Sequence, residues 1–340
     1  MGSSTPSPPA PAPEFLPVFR THAGPSGAMT FAQFMALALY HPTLGYYRRP
    51  RPRIGYGPET DFFTASTSGP VFGELIAAAC VDLLGGADPR EFTFIEIGAE
   101  PAPAEGRTGP GGGVLTGVDH PFAGVRTLGV GESPALAGRC IVFSNELFDA
   151  QPFHRFVFRR GAWRELGVAC AEGGLALVEL AHATPAPLPD SAIEGYVIDA
   201  PLAARTLAGR IAAGPWSGLF VAADYGKSWR ELTEATPAGT ARAYFRHTQS
   251  NDLLARPGEQ DLTCHICWDW LAAELERHGF VPAPIESQEA FFIRHAGRFI
   301  ARASAEDAAR FSRRKLSLLQ LLHPTHLGQK FQILFARRFA

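Results

Sequence analysis

Lysine is almost missing from these 340 residues: Lys227, Lys315 and Lys330 are the only ones, against a plentiful arginine background. That bias reads as the codon usage of a GC-rich bacterial genome and concerns origin rather than mechanism. Strong charge of one sign is lacking too. With 19% charged residues and a formal net charge of −2, nothing marks nucleic acid or an anionic membrane surface as the main partner. No apolar run reaches the ~20 residues that a bilayer-spanning helix needs, so no membrane span is expected. Cysteine is sparse: Cys80, Cys140, Cys170, Cys264 and Cys267 are odd in number and widely scattered. Without a secretory signal they suit a reducing cytoplasm. Cys264 and Cys267 have CxxC spacing, but zinc needs four ligands and no second Cys/His pair stands at a matching spacing, so no metal is expected. The Gly-x-Ser-x-Gly elbow of serine hydrolases is absent, and Val221 stands where a P-loop ending at Gly226-Lys227-Ser228 needs glycine.

What is present reads as an α/β chain long enough to bury a core without staples. Residues 1–20, rich in Ser, Pro and Ala, are expected to be a disordered tail. A helical segment follows over 28–88. Thr30 and Gln33 form a capping box ahead of Phe31, Phe34, Met35, Ala38 and Leu39, and a second helix begins near Pro70 and stops at Gly85-Gly86. Phe92 to Ile97 is the best single strand, and it ends at Gly98, where a doubly wound sheet meets a nucleotide-like ligand. Residues 99–113 are Ala, Pro, Glu and Gly, and Val114 to Arg139 shows only weak periodicity. The apolar run at 140–143 then feeds Asn145, Glu146 and Asp149, which would sit at the crevice beyond the strand's carboxyl end. A plainer alternative has Asn145 and Asp149 capping a turn and a short helix.

Residues 154–192 read as an inserted antiparallel hairpin region, with strands near 155–158, 163–168 and 175–180. Leu219 to Gly226 repeats the pattern of buried strand, carboxylate and glycine through Asp224. Residues 233–262 look loop-rich, with His247, Asp252 and Asp261 as polar candidates. Helices are expected over 203–211 and 266–278, another capped by Ser304 and Asp307 carries Phe311 and Leu316, and Gln332 to Ala336 is the last strand. The core is therefore placed at 89–153 and 193–340.

Several of these stretches, in order, resemble the MidA-like class I methyltransferases, from about Phe31 to Phe335. Gly45-Tyr46-Tyr47 looks like that family's opening, Gly57 with Asp61-Phe62 and Thr64 like its Gly-Asp-Phe-x-Thr loop, and Phe72-Gly73-Glu74-Leu75 like its next helix. Asn145-Glu146-Leu147-Phe148-Asp149-Ala150-Gln151-Pro152 is close to the family's Asn-Glu-Phe-Phe-Asp-Ala-Leu-Pro. Asp224-Tyr225-Gly226, Asp261 to His265 and Leu327 to Phe331 match three further motifs. The resemblance implies a Rossmann-like methyltransferase sheet with helices on both faces, an N-terminal helical extension and the inserted hairpin region. It also implies S-adenosyl-L-methionine as methyl donor and a protein arginine as acceptor, as in complex I assembly members. A respiratory-complex subunit is then a candidate partner, a homodimer a candidate assembly, and the cytoplasm the expected place. On this reading Glu146 and Asp149 orient and neutralise the acceptor, and Asn145 holds cofactor or loop. Asp61, Phe62, Thr64, Glu96, Gly98 and Gly111 lie at the cofactor.

The departures are specific. The family's first strand ends in Gly-Pro-Gly-Arg-Gly and leads into a helix, whereas here Ala99-Glu100-Pro101 follow Gly98. The Gly109-Pro110-Gly111-Gly112-Gly113 run looks like that motif displaced by an insertion. Between Leu115 and Ile141 there is too little chain for the family's helix and second strand with its acidic end, and Asp119 and Glu132 are the only acids there. Two readings stay open: a working methyltransferase with an unusual cofactor loop, or a methyltransferase fold that has lost the donor and acts as an interaction or assembly factor.

Overall fold

The computed structural model describes residues 13–339 apart from 50, 52, 56, 62–64, 66–68, 101–111, 173 and 307–311. Five strands form the body of the central sheet: β1 (Thr93–Ile97), β2 (Gly124–Leu128), β3 (Gly138–Asn145), β4 (Trp216–Asp224) and β5 (Gln332–Arg338). Their order is β2-β1-β3-β4-β5, all parallel except β5, and two short strands, Val281–Pro282 and Glu286–Ser287, extend the far edge along β5.

Strict alternation along these strands splits the core into two layers. Phe94, Ile141, Phe143, Leu219, Val221 and Ile333 face helices Pro70–Leu83, Gln288–His295, Gly297–Glu306 and Arg313–Leu322. Ile95, Ile97, Val142, Phe220, Ala222 and Leu334 face helices Leu202–Ala212 and Trp268–Arg277. Because both faces are covered, the strands read as nearly continuous apolar runs. Helix Arg313–Leu322 is capped by Ser312, whose hydroxyl accepts from the Lys315 amide. That corrects the expected Ser304 cap, since Ser304 lies inside Gly297–Glu306; Asp307 and Phe311 are outside the described residues.

A second, antiparallel sheet lies to one side. It joins His154–Arg159, Ala162–Ala171 and Gly174–Glu179 to Val197–Ala200 and to the N-terminal strand Ala28–Thr30. The inserted region therefore runs to residue 200, past the expected 192, and takes a strand from the N-terminal segment. Helices Phe15–Ala23 and Phe31–Tyr40 pack with it through Phe15, Phe19, Phe31, Phe34 and Phe153. The Thr30/Gln33 capping box is made in both directions, at 3.1 and 2.9 Å. Helix Phe15–Ala23 corrects the expectation of a tail disordered through residue 20: Phe15, Phe19 and Ala23 recur every four residues and all three are buried. Residues 1–12 lie outside the described set. No helix among the described residues is long and apolar enough to cross a membrane.

Candidate functional site

Register sets the site. Ile97 pairs with Ser144, Asn145 with Ala223, and Asp224 with Gln332, so the carboxyl ends of β1, β3 and β4 finish side by side. The chain leaves β1 toward one edge of the sheet and β3 toward the other, which opens a crevice between them. A cavity of 840 Å³ fills that crevice. Its wall includes Glu96, Gly98, Gly113, Asn145, Glu146, Asp149 and Asp261, and Arg48, Arg53 and Ile54 cover it.

Two glycines bring bare backbone to this wall. Gly98 has φ 84°, and a Cβ there would stand 2.8 Å from Leu147 Cδ1; at Gly113, with φ 102°, it would stand 2.6 Å from Thr127 Cγ2 and 2.9 Å from Glu96 Oε2. The Gly-rich insertion returns to the strand tip. Gly112 donates its amide to the Glu100 carbonyl at 3.0 Å, and Val114 donates to Glu96 Oε2 at 2.5 Å. The Glu100 side chain, also on the cavity wall, pairs with Arg53 at 2.7 Å.

Beyond β3 the chain bends through Glu146, held at φ 50°. A non-glycine residue in the left-handed region costs on the order of 1 kcal/mol, and here Asp224 and β4 hold the turn. Glu146 donates its amide to the Ala223 carbonyl at 3.0 Å. Asp224 Oδ2 accepts from the Phe148 and Asp149 amides at 2.9 and 3.4 Å, and Oδ1 from the Tyr225 amide at 2.7 Å. Asp224 is thereby the support on which Glu146 and Asp149 are carried.

The resulting wall is acidic, and its Arg53 is already paired with Glu100. Burial, then the neighbouring Asp224, pushes Glu146 up to about 8. Burial and the same neighbour raise Asp149 well above the carboxylate range. Burial moves Asp261, Asp224 and Glu96 to about 7 each. Among the described residues none of these five carboxylates enters a salt bridge. Asn145 donates to Glu146 Oε1 at 3.1 Å, while its own Oδ1 is buried without a partner among the described residues. Tyr40 and Tyr47 stack at 5.5 Å beside Asp149 and Asp261 on the same wall.

The residues expected from the sequence thus divide. Glu96, Gly98, Asn145, Glu146 and Asp149 meet at one cavity. Asp61, expected over the cofactor, is not among the residues lining that cavity. It is fully buried and committed to the covering loop: Oδ2 accepts from Tyr46 Oη at 2.7 Å and from Arg51 at 2.5 Å, and Oδ1 from the Arg246 amide at 2.8 Å. Phe62, Thr64 and Gly111 lie outside the described residues. Sequence reasoning gave Asp261 only as a polar candidate and assigned no site role to Tyr40 or Tyr47. It also set Glu132 aside for want of a strand, yet β2 ends at Leu128 and the cavity reaches Glu132.

A parallel sheet with a reversed last strand and an acid-lined cavity at its switch point defines a Rossmann-like, methyltransferase-type α/β protein. A family model described as a putative S-adenosyl-L-methionine-dependent methyltransferase matches residues 129–284. The mitochondrial protein arginine methyltransferase NDUFAF7 of Danio rerio is 25% identical over 375 residues, covering 90% of this chain and 83% of that protein. A Burkholderia thailandensis superfamily protein, solved bound to S-adenosyl-homocysteine, superposes with a TM-score of 0.80 at 21% identity, covering 98% of this chain and 95% of that one. A native structure from the same organism gives 0.77 with the same identity and coverage. These likenesses support a MidA-like family of S-adenosyl-L-methionine-dependent methyltransferases, and the solved structures show the fold that goes with it.

Proposed function

We propose that this protein binds S-adenosyl-L-methionine and transfers its methyl group to an arginine side chain of a protein. The observation that carries the reading is the cavity itself: buried carboxylates without a paired cation, beside a strand tip where glycine backbone forms the wall. A buried anion is costly unless it is paired, so such a wall suits ligands that bring positive charge. The donor carries a sulfonium and an ammonium group, and the acceptor a guanidinium.

The residues present fit the donor. The close approach at Gly98 and Gly113 leaves no room for a Cβ, and the orphaned Asn145 Oδ1 needs an N–H donor that an amino group supplies. Glu96, Gly98, Gly113 and Asn145 would hold it. When bound, the donor supplies an electrophilic methyl carbon whose bond to sulfur breaks, the electron pair staying on sulfur, as the acceptor nitrogen bonds to carbon and releases a proton.

Glu146 and Asp149 are proposed to do the protein's part at the acceptor. They line the same cavity, hold the guanidinium in one orientation and take up the released proton. Their raised affinity for protons suits the last of these tasks near neutral pH.

Calorimetric titration of the full chain with S-adenosyl-homocysteine tests the reading. Micromolar binding, followed by transfer of labelled methyl from S-adenosyl-L-methionine to arginine peptides, is the expected outcome. No heat and no thermal stabilisation at millimolar ligand would reject it and favour the alternative, a methyltransferase fold kept as an assembly factor. Binding without transfer to arginine would leave the donor site standing and overturn the acceptor.

A further inference from the structure

Asp261 stands apart from the other acids of the cavity in how its two oxygens are used. It is 3% exposed, and both of its hydrogen bonds fall on one atom: Oδ1 accepts from Tyr47 Oη at 3.0 Å and from the Leu262 amide at 2.9 Å. Oδ2 accepts from no donor among the described residues, although the side chain lines the cavity. The cation whose charge acts on it is Arg53, and that guanidinium is bound in place by Glu100 Oε1 and Oε2 at 3.3 and 2.7 Å and by the Arg49 carbonyl at 3.1 Å.

The surroundings fix Asp261 rather than neutralise it. Tyr47 stacks on Tyr40 with an interplanar angle of 15°, and Tyr40 Oη donates to the Ala150 carbonyl at 2.8 Å. The Cys264 amide donates to the Asp149 carbonyl at 3.0 Å, which ties the strand carrying Asp261 to the turn carrying Asp149. Two carboxylates from separate elements are thus held on one wall, and the repulsion of Asp261 contributes to the raised proton affinity of Asp149.

We infer that Asp261, oriented by Tyr47, determines acceptor specificity: its free Oδ2 takes an N–H of a cationic guanidinium and so selects arginine over neutral side chains of the same shape. This rests on the methyltransferase reading for the chemistry that follows, but recognition itself is a separate, measurable property. A carboxylate with one oxygen already occupied by a phenol and an amide presents the other in a fixed direction. A charge-assisted hydrogen bond made there is worth more than a neutral one. A neutral isostere such as citrulline brings no positive charge to that buried carboxyl, and a site built around one polar partner discriminates strongly against a ligand that lacks it.

The test uses the full chain saturated with S-adenosyl-homocysteine, titrated with acetyl-Gly-Gly-Arg-Gly-Gly-amide and with its citrulline counterpart. The arginine peptide should bind at least about tenfold tighter than the citrulline peptide, the loss of one charged hydrogen bond. Asp261→Asn keeps the Oδ1 acceptor and the shape. It should weaken the arginine peptide at least about tenfold while leaving S-adenosyl-homocysteine affinity and melting temperature intact. Tyr47→Phe, which removes only the orienting donor, should weaken it by less. Equal binding of the two peptides, no arginine binding at millimolar concentration, or wild-type affinity in Asp261→Asn would each overturn the inference. Arginine binding that depends on Asp261 but is never followed by methyl transfer would instead reject the catalytic reading alone. If S-adenosyl-homocysteine does not bind, the same peptide comparison is made on the free protein.

Discussion

Asp61 and Asp149 are both aspartates inside the same molecule, 0% and 4% exposed, and they illustrate opposite uses of burial. Asp61 meets Arg51, the Tyr46 phenol and the Arg246 amide, and it holds the covering loop to the hairpin behind it. Asp149 meets the Ala150 amide and no side-chain donor among the described residues, and it faces the cavity. The first is a completed structural joint, whereas the second is an unfinished interaction that a ligand completes. Burial alone does not separate site from scaffold; the inventory of partners does.

The largest effect should come from breaking the joint. Asp61→Ala strands the Tyr46 phenol and Arg51, and should cost about 3 kcal/mol in urea unfolding. A cost below 1 kcal/mol would erase the contrast. Asp149→Asn should do the reverse, with no loss of stability but methyl transfer slowed on the order of 10²-fold or more; a matching loss of stability would make Asp149 structural as well.

Stability against pH sharpens the same contrast. Glu146, at about 8, and Asp224, Asp261 and Glu96, at about 7, keep protons in the fold that the unfolded chain has released above about 4. The native state therefore binds more protons in this range, and the stability these groups contribute is lost as pH rises toward 8. Buried His265, lowered to about 4, acts in the opposite sense up to about 6.5, so the clean window is pH 6.5 to 8. There the unfolding free energy should fall by on the order of 2 kcal/mol, and less steeply in Asp261→Asn. A flat profile in wild type would mean the cavity acids are ionised without a ligand. The smallest effect is expected at the strand tip. Gly98→Ala, which meets Leu147 at a positive φ, should cost about 1–2 kcal/mol and weaken S-adenosyl-homocysteine binding.

The central strands and the capped helix Phe31–Tyr40 were legible because burial on two faces and a capping box leave local marks. The Glu146 to Asp149 rim was legible as an acid cluster beyond a strand, but its support by Asp224 was not, since that bond joins residues 75 and 76 positions apart. Strand β2 escaped notice because it is a sheet edge: Val125, Arg126 and Thr127 are exposed and Leu128 alone is buried. Helix Phe15–Ala23 was masked by Pro17, which falls in the first turn, where a missing N–H costs nothing. The hairpin Arg242–Phe245 to Thr248–Ser250 was hidden in an apparently loop-rich stretch. It turns on Arg246 and His247, at φ 48° and 60°, rather than on the Asn-Gly pair that normally signals such a turn. Asp61, distant in sequence, accepts both amides through Oδ1 and its carbonyl, so tertiary structure supplied what local chemistry did not.

The left-handed backbone at Glu146 has a consequence for any attempt to engineer this protein. Glycine occupies that conformation freely, so Glu146→Gly should leave melting temperature unchanged or raise it by relieving about 1 kcal/mol of strain. A screen that rewards thermostability alone would therefore favour discarding a carboxyl that lines the cavity, and durability and turnover would diverge at a single codon.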